Sequence, residues 1–326
     1  MGLPWPIRPV ARGRCPRGLA NWLWVALFVH GVVAGFLMHQ ASRLRLQRTL
    51  KKPVSVTGVG YWSGLENRVE FKPAAAGAGV VFVRADLPDP VTIPVSVNCR
   101  IEASSRTNLS VGSARVEMVE HVLSALAGLD VDCCLVRVYG EEMPGLDGSS
   151  RAFVEAIDAA GIEDLGAAID PIVVDSVVRV GDDTSWIEAS PPKFAGLSID
   201  YELDYGDGPI GRQMLSLRVT PEAYRRGLAA ARTFLPAADA ERLRAQGRGL
   251  AATTDDLLIF GPDGPIGNTL RWPDECVRHK VLDLVGDLKL AGRPIHAHIR
   301  AYRSGHRLNG ALAARLATAR LQPVCS

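Results

Sequence analysis

The order of apolar and polar positions predicts short strands interleaved with amphipathic helices. Val54–Gly60 (VSVTGVG), Arg68–Lys72 and Val80–Arg84 read as strands around Gly-rich turns, and Ser113–Val119 and Val131–Val138 continue the β pattern. Val122, Ala125, Leu126 and Leu129 fall at helical spacing within Val119–Leu129. Phe153, Val154 and Ile157 do the same within Arg151–Ala160. Between these helices, Glu141–Ser150 (EEMPGLDGSS) is rich in turn formers. The first set of elements ends near Gly161 and the pattern restarts at Pro171. Strand-like runs then occupy Ile172–Val180, Ser185–Ala189, Leu197–Leu203 and Leu215–Val219. Helices are expected over Pro221–Ala231, where Thr220 is suited to cap, and over Ala237–Gln246. A strand at Leu257–Phe260, a long helix over Pro273–Leu290, a strand over Pro294–Tyr302 and a helix over Leu308–Ala319 complete the pattern. Two successive sets of strands and helices imply an α+β protein of two layers, with no βαβ rhythm and no G-x-G-x-x-G fingerprint.

The first 46 residues stand apart from this pattern. Arg8, Arg12, Arg14 and Arg17 precede the apolar stretch Leu19–Met38, and Arg43, Arg45, Arg48, Lys51 and Lys52 follow it. The stretch has the roughly 20 residues that one helical span requires. Three readings stand: a membrane anchor, a cleaved signal, or a start at Met38 with the upstream residues an artefact of the reading frame. The remainder divides into 47–168 and 169–326.

Composition narrows the function. Of 326 residues, 47% are hydrophobic and 22% charged, enough for sizeable cores and against global disorder. A formal net charge of +2 provides no polybasic field, which argues against nucleic acid as a partner. The six cysteines form no C-x-x-C pair, and the adjacent Cys133-Cys134 lie in an apolar run, consistent with buried thiols in a reducing compartment.

The candidate chemistry lies in a few histidines. His279 and Asp283 are four residues apart, which on a helix puts imidazole and carboxylate on one face. His121, near the start of another helix, supplies a possible third ligand. Two histidines and one carboxylate make a set that leaves a coordination position open, as hydrolytic zinc sites do. Glu120 beside His121 is then a candidate general base. His306, in a Gly-bearing loop (SGHRLN) ahead of a helix, is a candidate proton donor, and Lys280 and Arg303 add charge suited to phosphates. Taken singly, each feature is as readily a surface or packing residue; His296 and His298, alternating on a strand, are read that way.

Together these segments resemble the UDP-3-O-acyl-N-acetylglucosamine deacetylases, zinc amidases of early lipid A synthesis. The similarity runs from about Gln47 to Leu316, through QRTLKKPVSVTGVG, VEHVLSALAGL, EMPGLDGSS, ARTF, VRHKVLDLVGDL and YRSGHRLN in that order. The resemblance implies Zn2+ held by His121, His279 and Asp283. It implies Glu120 as general base and His306 as general acid, with Asp287 orienting His306 and Thr233 binding the tetrahedral oxyanion. Phe234 would contact sugar or acyl chain, Lys280 the sugar-phosphate region, Tyr205 the uracil and Arg303 the diphosphate. The implied fold is a two-domain β-α-α-β sandwich with the active site between the domains and an acyl passage formed by Leu235–Phe260.

The chain departs from the family at Tyr61-Trp62, where a Leu-His pair is usual, and at Ala251–Asp256 (AATTDD), where a Gly-Gly-Ser run is usual. The expected protein is a bacterial, cytoplasmic, monomeric hydrolase. Leu19–Met38 offers membrane contact. A zinc amidase acting on another acylated sugar nucleotide and a non-catalytic sugar-nucleotide-binding protein are the competing readings.

Overall fold

The computed structural model describes residues 45–103 and 105–318, so the readings of Leu19–Met38 lie outside the described residues. Among the described residues no helix is long and apolar enough to cross a membrane.

The first half runs β1 (Leu46–Leu50), β2 (Val54–Val59), β3 (Glu66–Pro73), β4 (Val80–Arg84), β5 (Val91–Pro94), β6 (Arg100–Ile101), β7 (Asn108–Val111), β8 (Ala114–Val116), α1 (Glu120–Gly128), β9 (Cys134–Val138), α2 (Arg151–Ala160) and β10 (Ile162–Ala168). The second half runs β11 (Ile172–Val173), β12 (Val178–Gly181), β13 (Trp186–Ser190), β14 (Leu197–Asp204), β15 (Arg212–Val219), α3 (Pro221–Gly227), β16 (Phe234–Pro236), α4 (Ala237–Ala245), β17 (Leu258–Gly261), β18 (Gly264–Pro265), α5 (Glu275–Leu288), β19 (Ile295–Tyr302) and α6 (His306–Thr318).

Each half builds one large sheet with the same path. The first has strand order β2-β3-β9-β4-β5, the second β12-β13-β19-β14-β15 with β11 added beside β19. In both, the sheet's last strand in chain order, β9 or β19, inserts centrally, parallel to one neighbour and antiparallel to the other. The expected repetition of architecture is therefore present in topology, without a sequence repeat to announce it.

Strand alternation orients each sheet. In β14, Ile199, Tyr201 and Leu203 are buried while Asp200 and Glu202 lie on the other face. Phe71 of β3 meets Phe153 of α2 edge-on at 6.1 Å between ring centroids. Helix α2 packs on the first sheet, α5 and α6 on the second, and α1 against α5, giving the sheet-helix-helix-sheet order.

The helix contact depends on one glycine. A Cβ on Gly286 of α5 would lie 2.2 Å from the backbone oxygen of Glu120 and 3.1 Å from the nitrogen of Ser124 in α1. The two helices thus touch backbone to backbone. A polar chain fastens the contact: Tyr224 donates to Ser124 Oγ at 2.8 Å, and Ser124 donates to the Leu282 carbonyl at 2.7 Å. Tyr224 itself lies flat on Gly128, where a Cβ would be 2.3 Å from its ring.

Several boundaries differ from the sequence reading. Ile172–Val180 is two strands interrupted by irregular chain rather than one. Helix α3 ends at Gly227, four residues short of the expected Ala231, although Thr220 caps it as expected by accepting from the Ala223 nitrogen at 3.2 Å. Strands β1 and β10, absent from the sequence reading, pair with each other across the half, so the first half extends past Gly161 to Ala168.

Replacing Gly286 by Ala should destabilise the protein by about 1–3 kcal/mol, the usual cost of overpacking, because the obstacle is backbone and cannot rotate away. Urea unfolding of Gly286→Ala beside the parent chain measures it. An unchanged midpoint and slope would contradict the close crossing.

Candidate active site

The α1–α5 crossing brings three sequence-distant donors together. His121 comes from the first turn of α1; His279 and Asp283 come from adjacent turns of α5. One ligand atom from each lies within 4.8 Å of the others, and all three side chains are buried. His279 Nε2 is 3.4 Å and His121 Nε2 3.6 Å from Asp283 Oδ1. The two imidazoles meet edge-on, with centroids 5.2 Å apart.

Hydrogen bonds fix the tautomer of His279. Its Nδ1 lies 3.1 Å from the Ala231 carbonyl, which only accepts, so Nδ1 carries the proton and Nε2 presents a lone pair to the cluster. Burial depresses the pKa of His279 to about 3, so the ring is neutral, as a ligand must be. Asp283 is also held as an anion. Burial alone would raise its pKa, but neighbouring positive charge, Lys280 among it at 2.7 Å from Oδ2, takes it well below the ordinary value. Asp283 Oδ1 and His121 Nδ1 are buried without hydrogen-bond partners. An unpartnered buried carboxylate oxygen facing two imidazole nitrogens fits a divalent cation. Borderline N,N,O donors suit zinc among such ions.

Around this cluster stand two further ionisable groups. Glu120 is 3% exposed, its Oε2 accepts from the Thr107 nitrogen at 2.9 Å, and burial raises its pKa. His306 Nδ1 donates to Asp287 Oδ2 at 2.9 Å. Burial opposes charge on this ring, but Asp287 and Asp283 outweigh it and raise the pKa to about 9. His306 is the first residue of α6, not a member of the preceding loop as the sequence suggested. Arg100 donates to its carbonyl at 3.2 Å and further restrains that end.

His121, His279, Asp283, Glu120 and His306 line one cavity of about 1340 Å³, and Asp287 lies behind His306. Its walls also include Thr233, Phe234, Lys280, Tyr205 and Arg303. Phe234 contacts His279 and Tyr205 edge-on, with centroids 6.2 and 5.6 Å apart. The Thr233 hydroxyl donates to the Gly148 carbonyl at 3.0 Å. An apolar arm lies toward Leu235, Leu257 and Ile259, beside a small separate core that also contains Tyr61 and Met118.

A family model of UDP-3-O-acyl N-acetylglycosamine deacetylase matches residues 47–318. The chain belongs to this family. Curated relatives named UDP-3-O-acyl-N-acetylglucosamine deacetylase, from Brucella ovis and Brucella melitensis biotype 2, are each 38% identical over 265 residues. The match covers 81% of this chain and 92% of each relative.

Within this family member, the Tyr61-Trp62 pair acts in packing. Tyr61 Oη lies 2.7 Å from the Asp256 carbonyl and 3.0 Å from that of Gly145, so it ties the turn-rich loop to the segment after α4. Trp62 is stacked by two guanidinium groups, Arg106 at 4.8 Å and Arg248 at 4.5 Å. The sequence reading passed over Thr107, Arg232, Glu275 and Asn309. All four are buried polar residues: Arg232 and Asn309 fall inside the ARTF and YRSGHRLN motifs, Glu275 stands two residues before VRHKVLDLVGDL, and Thr107 lies outside every motif.

Arg232 and Glu275 hold the Ala231–Thr233 segment to the start of α5. Arg232 Nε donates to Glu275 Oε1 at 2.8 Å and Nη2 to Oε2 at 3.0 Å, while the Arg232 backbone nitrogen also donates to Oε1. Glu275→Ala would strand a buried guanidinium and should destabilise by about 3–5 kcal/mol. Glu222→Ala, which breaks the exposed Arg226–Glu222 pair, should change stability by less than about 1 kcal/mol. Equal effects in chemical denaturation would contradict the assigned burial.

Proposed function

We propose that this chain is a zinc-dependent deacetylase that hydrolyses the N-acetyl group of UDP-3-O-acyl-N-acetylglucosamine to the free amine and acetate, a step of lipid A synthesis. The observation that carries this reading is a three-donor group able to hold a metal in the same cavity as a buried carboxylate and a partly buried, cationic imidazole. Zinc, when bound, supplies a Lewis acid that polarises the amide carbonyl and makes water acidic.

The chain's own residues supply the rest. Glu120, with its pKa raised by burial, accepts a proton from the attacking water. The water oxygen bonds to the acetyl carbon, and the Thr233 hydroxyl, rotated from the Gly148 carbonyl, donates to the resulting oxyanion. His306, cationic at neutral pH, gives its Nε2 proton to the amine nitrogen as the C–N bond breaks. Asp287 holds that ring by its other nitrogen.

The remaining roles follow the walls of the cavity. Phe234 and Tyr205 offer aromatic surface to sugar and uracil. Lys280 and Arg303 offer positive charge to the diphosphate. The arm lined by Leu235, Leu257 and Ile259 takes the acyl chain. Residues 47–168 and 169–326 act as the two domains, with the catalytic groups gathered from both. Because one chain completes the site, the reading needs no partner subunit and takes the enzyme as a monomer. Its nucleotide-sugar substrate assigns it to the cytoplasm.

Metal analysis and product analysis test the proposal together. The purified enzyme should bind one equivalent of zinc and release acetate from the substrate. His121→Ala/Asp283→Ala should lose both metal and activity. Glu120→Gln should keep zinc and lose about 10²-fold or more in turnover. Full zinc occupancy in the double variant would overturn the assigned ligands.

The pH dependence should be bell-shaped. Activity should fall at low pH as Glu120 protonates, and at high pH as His306 loses its proton near pH 9. Asp287→Asn removes a carboxylate that raises the His306 pKa, so the alkaline limb should move down. An alkaline limb that stays in place would contradict the His306 assignment.

A further inference from the structure

Thr107 lies in the loop before β7, outside every motif that points to the site, and is fully buried. It contacts both sides of the chemistry. Its backbone nitrogen donates to Glu120 Oε2 at 2.9 Å. Its hydroxyl donates to Asp287 Oδ1 at 2.6 Å. The other oxygen of Asp287 accepts from His306 Nδ1 and from Asn309 Nδ2, each at 2.9 Å. The Thr107 carbonyl in turn accepts from the Val119 nitrogen at 3.0 Å, just ahead of α1.

These bonds make one residue the link between two carboxylates. Glu120 is 3% exposed and Asp287 is completely buried. With so little exposure, the direction of each carboxylate is set chiefly by the protein donors that reach it. Asp287 spends one oxygen on His306 and Asn309. Without the Thr107 hydroxyl, its other oxygen loses its side-chain donor and the plane of the carboxylate is free to turn. Turning it would carry the His306 ring with it.

We infer that Thr107 is a positioning residue for catalysis: its hydroxyl fixes the Asp287 carboxylate that aims His306, while its backbone holds Glu120. Thr107→Val keeps shape and backbone bond and removes only the hydroxyl; Thr107→Ser keeps the hydroxyl. The inference rests on the deacetylase reading, so the parent enzyme is assayed first with UDP-3-O-acyl-N-acetylglucosamine. A parent that releases no acetate would sink that reading and leave nothing for Thr107 to position.

With an active parent, Thr107→Val should retain its zinc and lower kcat fivefold or more with KM within twofold. Thr107→Ser should stay within twofold of the parent. The hydroxyl also lies 3.4 Å from His306 Nδ1, too far to compete with its 2.6 Å bond to Asp287 or with the ring's 2.9 Å bond to the same carboxylate, so it acts through Asp287 and adding Thr107→Val to Asp287→Asn should cost nothing further. A residue that merely fills space would lower stability without moving kcat per folded molecule. If Thr107→Val does not fold, Thr107→Ala, which adds no volume, carries the same comparison. A loss in kcat below fivefold, or an undiminished loss in the Asp287→Asn background, would overturn the inference.

Discussion

Everything at this site hangs on how closely α1 and α5 approach. Gly286 removes the one side chain that would hold them apart, and the Glu120 carbonyl occupies the space. That contact sits one residue from His121 on α1 and three from Asp283 on α5. The crossing therefore sets the distances among His121, His279 and Asp283, the three side chains that could hold a metal, directly. Ser124, bonded to the Leu282 carbonyl and covered by Tyr224, stops the helices sliding along each other. Packing that would otherwise be ordinary core construction thus becomes the ruler of the candidate metal site.

The electrostatics follow from the same burial. Glu120, Asp283 and Asp287 are three carboxylates taken out of water, against two partly buried cations, Lys280 and His306. Fully ionised, the set is one negative charge away from neutral. A divalent cation between His121, His279 and Asp283 reverses the sign and leaves the site prepared for an oxyanion. The unpartnered Asp283 oxygen is costly in a protein without metal and natural in one that binds it. Both pKa values are raised, as acid–base work at neutral pH needs: Glu120 up from the ordinary carboxylate range by burial, and His306, against the opposing effect of its burial, up to about 9 by Asp287 and Asp283.

Much of this was legible in the chain. Helix α5 was evident because its apolar spacing is strong, and with it the shared face of His279 and Asp283. Segments whose structure depends on remote partners were not. Strand β10 is half-exposed and irregular in pattern, and it forms only because β1, more than a hundred residues earlier, pairs with it. Ile172–Val180 read as one run because β propensity does not record that β11 joins β19 while β12 joins β13. Thr107 carried no periodic signal at all; its importance comes from two carboxylates distant in sequence. Local pattern reveals which face a residue takes, whereas the meeting of faces is a property of the fold.

The central claim is that one crossing of two helices creates the metal site. It is tested most directly by the coupling between metal binding and folding. Thermal unfolding would be followed on chelator-treated protein before and after addition of one equivalent of zinc, for the parent chain and for His121→Ala/Asp283→Ala. The parent should unfold at a higher temperature with zinc, because the ion ties α1 to α5, and the double variant should not respond. An equal rise in both would mean that zinc stabilises the protein from somewhere else and that the crossing does not hold the metal.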